Sequence, residues 1–273
     1  MRSSIHTTIF LLSSLIILSC SGNKGGAKEY LLEAEKAYKE GNFSLSKLKI
    51  DSIKVLFPES FDDINAGFDL MQEVRMAENK RNILFCDSML RENYNQLNEM
   101  LTRFDYVRDS RYQEFGEYYP KAFPHHSSFS RNGLRSGVRE KGTLFIESVV
   151  SGIALKHYKI KVTTADGSFA ETNAVTADGL NYEFNTSNNS YEIVRYSGSD
   201  ENGVAQFIHT FQHQPLTVHF IGRRTTSTPL TPAAKKGIAD SYELSTLLLN
   251  IEQLKFEKEK SDALIRYLES RAK

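Results

Sequence analysis

The chain has 273 residues, 40% of them hydrophobic and 11% aromatic, with 34 Lys+Arg against 34 Asp+Glu. That share of core formers excludes a disordered chain, and a net charge of zero gives no electrostatic reason to bind nucleic acid. Two cysteines, Cys20 and Cys86, supply neither a disulfide framework nor a Cys/His run at zinc spacing.

In chain order the first element is a targeting segment. Arg2 precedes a stretch from Ile9 to Leu18 that is apolar except for Ser13 and Ser14, the charged and apolar regions of an export signal. About ten apolar residues fall short of the roughly 20 that cross a bilayer core, which argues against a permanent transmembrane helix. The end of this stretch, Ile17-Leu18-Ser19-Cys20, resembles a bacterial lipobox, with Leu18 where a small residue is most common. The resemblance implies cleavage before Cys20 and its acylation, so that residues 1–19 are a signal peptide and the protein is held on a membrane by its lipid. Several acyl chains at ~0.8 kcal/mol per buried CH₂ exceed the marginal hold of one myristoyl chain. The alternative is a plain secretory signal with an incidental cysteine.

Residues 20–27 (Ser21-Gly22-Asn23-Lys24-Gly25-Gly26 within them) read as a flexible tether. They carry no Asp directly after Cys20, the inner-membrane retention signal of enterobacterial lipoproteins, and no acidic run of the kind associated with surface export in Bacteroidetes-type lipoproteins. The expected location is therefore the outer membrane, facing the periplasm. Asp51-Ser52-Ile53 and Asp87-Ser88-Met89 resemble the short O-glycosylation sequon of those bacteria, and both fall in expected helices.

A helical region is expected over 28–111. Leu31, Ala34 and Tyr38 share one face of a helix from Lys28 to Glu40 that Gly41 ends, and Ser44 is the expected N-cap of a second helix stopping at Phe57-Pro58. Ala34-x-x-Ala37-Tyr38-Lys39-Glu40-Gly41-Asn42-Phe43, with Ser46, Ile50, Ile53 and Pro58, resembles one tetratricopeptide-type unit. The resemblance spans about 30 residues and departs from the family at Ser46, Ile53 and Tyr30. It implies protein or peptide binding in a concave groove, whereas a single copy equally fits a hairpin that packs at the base of a larger helical assembly. The chain as a whole thus resembles a Bacteroidetes-type lipoprotein with one such hairpin, without pointing to a family of known function.

Ser60 caps a further stretch leading into a long helix that runs to about Arg108. Leu90, Tyr94, Leu97, Leu101 and Phe104 step 4-3-4-3, the seam of a coiled coil. A second long helix is expected over 233–273, where Leu244, Leu248 and Ile251 continue that spacing. The two stripes either cover each other as an antiparallel stalk or each pair with a second copy. Between them, over 142–224, β-branched and aromatic residues alternate with polar ones, in runs such as Thr143–Val150, Tyr158–Thr164, Tyr191–Tyr196, Ala205–Phe211 and Leu216–Ile221, separated by Ala165-Asp166-Gly167, Ala177-Asp178-Gly179 and Ser197-Gly198. The expected fold is α+β: an N-terminal helical hairpin and an antiparallel coiled-coil-like stalk, with a small antiparallel sandwich or barrel inserted.

Little chemistry is written in local motifs. His209 and His213 would share a face of a strand, with His219 nearby, but no third ligand aligned across a turn accompanies them, and surface histidines explain the pattern. Asp200-Glu201-Asn202-Gly203 lacks the leading carboxylates and closing Glu of a calcium loop and reads as a turn. No nucleophile elbow, phosphate loop, dinucleotide fingerprint or His-Glu-x-x-His occurs, and no cofactor or metal is expected. Cys86 reads as a small buried hydrophobe. The connector 112–141 stands out: Tyr112, Phe115, Tyr118, Tyr119, Phe123 and Phe129 precede Arg131, Arg135 and Arg139, with no acidic residue between Glu117 and Glu140. Aromatics and Arg are enriched in binding hot spots, so Tyr118, Tyr119, Arg131, Arg135 and Arg139 form the candidate binding set. The other reading has the aromatics fasten the β region to the stalk. These features together point to a non-catalytic, lipid-anchored envelope protein, a binding or assembly subunit with an envelope protein partner and self-association through its helices as a further possibility. The alternative is a glycan- or peptide-binding, or degradative, protein using aromatics and histidines of the β region.

Overall fold

The computed structural model describes residues 24–123, 132–152, 155–175, 182–185 and 190–271. The signal segment with Cys20, the residues His125, His126, Phe129 and Arg131, and the turn at Ala177-Asp178-Gly179 lie outside the described residues. The chain is α+β and divides into two compact units, one holding residues up to Arg81 together with Asp262 onwards, the other Asn82–Ser261.

In the first unit α1 (Lys24–Lys39) and α2 (Phe43–Leu56) form a hairpin. α1 starts inside the stretch read as tether. Gly25 and Gly26 are poor helix formers, but the first turn needs no N–H partners within the helix, and Ala27 is completely buried. Gly41 adopts φ +72° and closes α1: Asn42 N–H donates to Ala37 O (2.8 Å) and Gly41 N–H to Tyr38 O (2.9 Å), the paired bonds of a Schellman turn. Asn42, not Ser44, caps α2, its side-chain oxygen accepting from Leu45 N–H. Ala34, Phe43, Ile50, Met71 and Val74 make the core of this unit, the last two from the first part of α3 (Phe61–Leu101).

In the second unit the later part of α3 packs antiparallel against the earlier part of α5 (Pro232–Arg271). Asn82 Nδ2 donates to Ser261 Oγ (2.7 Å), Lys258 pairs with Asp87 (2.6 Å), and Leu97 and Leu101 join Leu244 and Leu248 in one cluster. The seam differs from the expected one at one position. Asn93 is buried while Tyr94 is 40% exposed beneath Lys255. Cys86, Leu90, Asn93 and Leu97 keep the 4-3-4 spacing, and a polar residue on such a seam fixes register at some cost in stability. α3 ends at Leu101 rather than near Arg108, because Phe104–Val107 forms β1 instead, pairing with β2 (Glu117–Pro120).

The connector thus supplies strands. β1, β2, β3 (Gly133–Arg139), β4 (Leu144–Ser151), β7 (Tyr182–Asn185) and β8 (Ser190–Ser197) form a six-stranded antiparallel sheet in the order β1-β2-β3-β4-β8-β7. β5 (Lys159–Thr164), β6 (Phe169–Glu171), β9 (Leu216–Ile221) and β10 (Thr225–Pro229) form a second sheet in the order β10-β9-β5-β6. Ile160 and Val162 of β5 and Val218 and Phe220 of β9 meet Leu134, Ile146, Val194 and Tyr196 of the larger sheet in one core, so the β region is a sandwich. The two central strands of the smaller sheet, β5 and β9, alternate buried and half-exposed residues, as strands with one wet face must. The run Ala205–Phe211, read as a strand, is instead α4 (Val204–Thr210), which drops Val204, Ala205 and Ile208 into the same core.

Candidate functional site

Two charged or polar clusters are built on the six-stranded sheet, one on each face. The connector residues gather on the outer face. Register places Arg135 on β3 opposite Glu147 on β4, Glu147 opposite Arg195 on β8, and Glu117 on β2 opposite Arg139. With a side-chain period of two, all five point the same way. Arg135 Nε donates to Glu147; Arg195 reaches Glu147 Oε1 at 2.8 Å and Glu117 Oε1 at 2.7 Å; Arg139 stands 3.9 Å from Glu117. The Tyr119 hydroxyl donates to Glu117. Burial alone would push the Glu147 carboxyl up, but the Arg135 and Arg195 guanidiniums outweigh it and hold the group below the usual carboxylate range. Burial, aided by the hydrogen bond to Glu117, pushes the Tyr119 phenol up, so it remains a donor.

An apolar layer is woven through these charges. The completely buried Phe145 ring lies against Gly137, where a Cβ would stand 2.4 Å from Cζ, and the Arg195 guanidinium sits over the ring, 3.9 Å from its centroid. Tyr119 meets the same ring edge-on at 5.9 Å. A glycine at 137 is therefore what lets the aromatic ring, and the cation above it, sit against the strand.

Of the candidate set, Tyr119, Arg135 and Arg139 come together here, and Arg131 lies outside the described residues. Tyr118 does not join them. Its neighbour on β2 takes the opposite face, and Tyr118 packs with Val138, Phe104, Leu244 and Leu248 while stacking on Tyr106 at 5.1 Å. Tyr118 thus packs the sheet against α5, and Tyr119 belongs to the ion network. Sequence reading missed Glu117, Glu147 and Arg195. Only Glu147 had a local signal, a charge in the middle of a mostly apolar strand, Leu144-Phe145-Ile146-Glu147-Ser148-Val149-Val150.

The second cluster faces the sandwich interior. Ser148 Oγ lies 2.7 Å from His157 Nε2, and His157 Nδ1 lies 2.9 Å from Glu192 Oε2. Lys156, at φ +50°, turns the chain so that successive backbone N–H groups of Lys156 (2.8 Å) and His157 (3.2 Å) also donate to the Glu192 carboxylate, a small nest for an anion. Burial lowers the His157 pKa despite the neighbouring carboxylate, so the ring is neutral. Nδ1 then carries the proton to Glu192, and Nε2 accepts from the Ser148 hydroxyl. The connectivity is that of nucleophile, base and orienting acid. Its position is not: Ser148 and the His157 ring are completely buried, and Ser148 sits in mid-strand between the two sheets. What the arrangement does is clamp the segment entering β5 to β4 and β8. Tyr196, sealed in the same interior, brings its hydroxyl near those of Ser148 and Thr172 without hydrogen-bond geometry, and burial pushes its phenol up.

The histidines do not converge. His209 sits on α4 beside Glu243 (3.3 Å), His213 follows α4, and His219 projects from the outward face of β9 toward Thr163 (3.1 Å). Among the described residues no group of three His, Cys, Asp or Glu is placed to hold a metal ion. Glu201 accepts from Gly203 N–H (3.1 Å) and Ala205 N–H, so the Asp200–Gly203 turn serves as the start of α4. The aromatics of the alternative reading also separate, Tyr196 being interior and Tyr158 42% exposed. Burial raises the Cys86 thiol, with Glu257 and Asp87 adding to the shift. Comparison with protein-family profiles, with curated proteins and with solved structures finds no match to this chain.

Proposed function

We propose that this chain is a lipid-anchored cell-envelope protein that acts without catalysis, as a binding or assembly subunit held on the periplasmic side of the outer membrane through acylated Cys20. The observation that carries this reading is Ile17-Leu18-Ser19-Cys20 at the end of a short apolar stretch behind Arg2. Among the described residues no helix is long and apolar enough to cross a membrane, so in this reading attachment falls to the acyl chains. The ion network fits a non-catalytic role: its carboxylates and guanidiniums are spent on one another across four strands, and Arg139, 48% exposed at the rim, is the cation of this set that meets solvent most. The sealing of Ser148 and His157 supports the same reading.

The test is in-cell crosslinking of the tagged full chain with mass spectrometry, alongside metabolic labelling with an alkyne fatty acid. Cys20→Ala is the control for both. The expected result is fatty-acid label on the native chain alone and a reproducible protein partner lost in the control. Absence of label overturns the anchor, and turnover of an envelope substrate by the purified chain overturns the non-catalytic role. Capture of glycan or peptide fragments instead of a protein returns the alternative reading of the β region.

A further inference from the structure

α2 carries two apolar faces, and only one has a partner. Phe43, Ser46, Ile50 and Ile53 are buried in the hairpin. Leu45, Leu48, Val55 and Leu56 are 38%, 62%, 78% and 55% exposed. At 100° per residue these four and Ser52 fall within an arc of about 100°, the width of an amphipathic helix's apolar stripe. The one polar member is already satisfied: Ser52 Oγ–H donates to Leu48 O at 2.8 Å, which removes much of the cost of burying its hydroxyl. Lys49 borders the stripe with a long aliphatic stem, its ammonium group held by Glu33 (2.5 Å).

We infer that this stripe lies on the lipid surface to which Cys20 tethers the chain; the inference rests on the acylation reading proposed above. Three residues lie between Cys20 and the start of α1 at Lys24, and the four steps of chain reach at most about 14 Å. α2 runs antiparallel to α1, with Tyr30 edge-on to Phe57 at 5.6 Å and Lys49 paired to Glu33. The Val55-Leu56 end of the stripe is therefore at the tethered end of the hairpin. Four partly exposed aliphatic side chains amount to a few hundred Å² at most, below the ~800 Å² per partner of a specific protein interface. A chain already held by its acyl groups needs no such area, because each buried side chain adds to an attachment whose entropic cost is met. The flanking charges are mixed, Lys49 on one side and Asp51 on the other, so the chemistry recognised is the boundary of headgroup and acyl chain rather than anionic headgroups.

The test uses the full acylated chain in vesicles of phosphatidylethanolamine and phosphatidylglycerol. An environment-sensitive fluorophore is attached at Leu48→Cys, at Val55→Cys and, as control, at the exposed Lys36→Cys on α1; buried Cys86 stays unlabelled. The expected result is a blue shift and loss of most emission to a lipid-borne quencher at 48 and 55, little at 36, and no change on raising salt. The N-terminal peptide of the same sample is weighed. A peptide without acyl chains overturns the anchor and the inference with it. An acylated peptide with no quenching at 48 or 55 overturns the stripe's placement alone. A blue shift that grows with protein concentration but resists the lipid quencher overturns it in favour of a second copy.

Discussion

Removing the Glu147 charge is the sharpest probe of the sheet. The Glu147 side chain is 4% exposed between Arg135 at 8% and Arg195 at 15%. Glu147→Gln keeps the volume but leaves guanidiniums on either side of β4 without the carboxylate between them. Breaking a buried pair by removing one partner costs about 3–5 kcal/mol, since the other charge stays desolvated. Against a typical stability of roughly 5–15 kcal/mol, that is about a fifth or more of the total. With a urea slope of about 2 kcal/mol per M, the midpoint falls by roughly 2 M at unchanged slope. The assay is urea unfolding of the chain carrying Cys20→Ser, followed by circular dichroism. The double variant Arg135→Met with Glu147→Met loses less than the sum of its single changes, because a matched apolar pair strands no charge. A fall under about 0.5 M for Glu147→Gln, or strict additivity in the cycle, would refute the claim that this carboxylate compensates buried cations.

Three further outcomes follow from the geometry. Gly137→Ala drives a Cβ to 2.4 Å from the Phe145 ring, so urea unfolding should show a loss of about 1–3 kcal/mol, whereas Gly133→Ala, with nothing within 4 Å, should show far less from packing. Gly41→Ala keeps open space but forces φ +72° on an L side chain, and thermal melts should report a cost of about 1–2 kcal/mol, smaller for Gly41→Asn. The third concerns pH. His157 has a lowered native pKa, so the unfolded chain binds the proton first: stability is full above about pH 6.5 and falls as pH drops from there toward the native value. Urea midpoints measured from pH 7.5 to 5 should show this slope in the native chain and a shallower one in His157→Gln; equal slopes would place the titration elsewhere.

The parts legible in the sequence are those whose signal is local. Gly41 with φ +72° and Phe57-Pro58 each act within a turn or two of helix, and each ends a helix where expected. Ala205–Phe211 misled because a seven-residue apolar-rich run fits either period. Its helical start is set by Glu201 just upstream, whose carboxylate accepts from the Gly203 and Ala205 N–H groups. Asn93 took the seam position assigned to Tyr94 because Tyr94 can face solvent under Lys255, a preference that needs the partner helix to be known. The ion network and the interior relay were illegible for a different reason. Ser148, His157 and Glu192 are brought together by the β4 and β8 register, and no spacing rule connects residues 9 and 35 positions apart.

Pairing α3 with α5 also constrains the order in which the second unit is assembled. The Asn82 to Ser261 contact joins residues 179 apart, and closing so long a loop from an unstructured chain has no local contacts to offset it. Once the sandwich has formed, the effective loop shrinks to the helix ends, and cutting it from 179 to about 20 residues lowers the closure cost by roughly 2 kcal/mol. The two helices should therefore zip last, outward from Leu97 and Leu248. Until α5 arrives, Leu97 and Leu101 lack Leu244 and Leu248, the part of their cluster that α5 supplies, so the interval between synthesis of α3 and synthesis of α5 leaves apolar surface on the nascent chain for a holdase to cover.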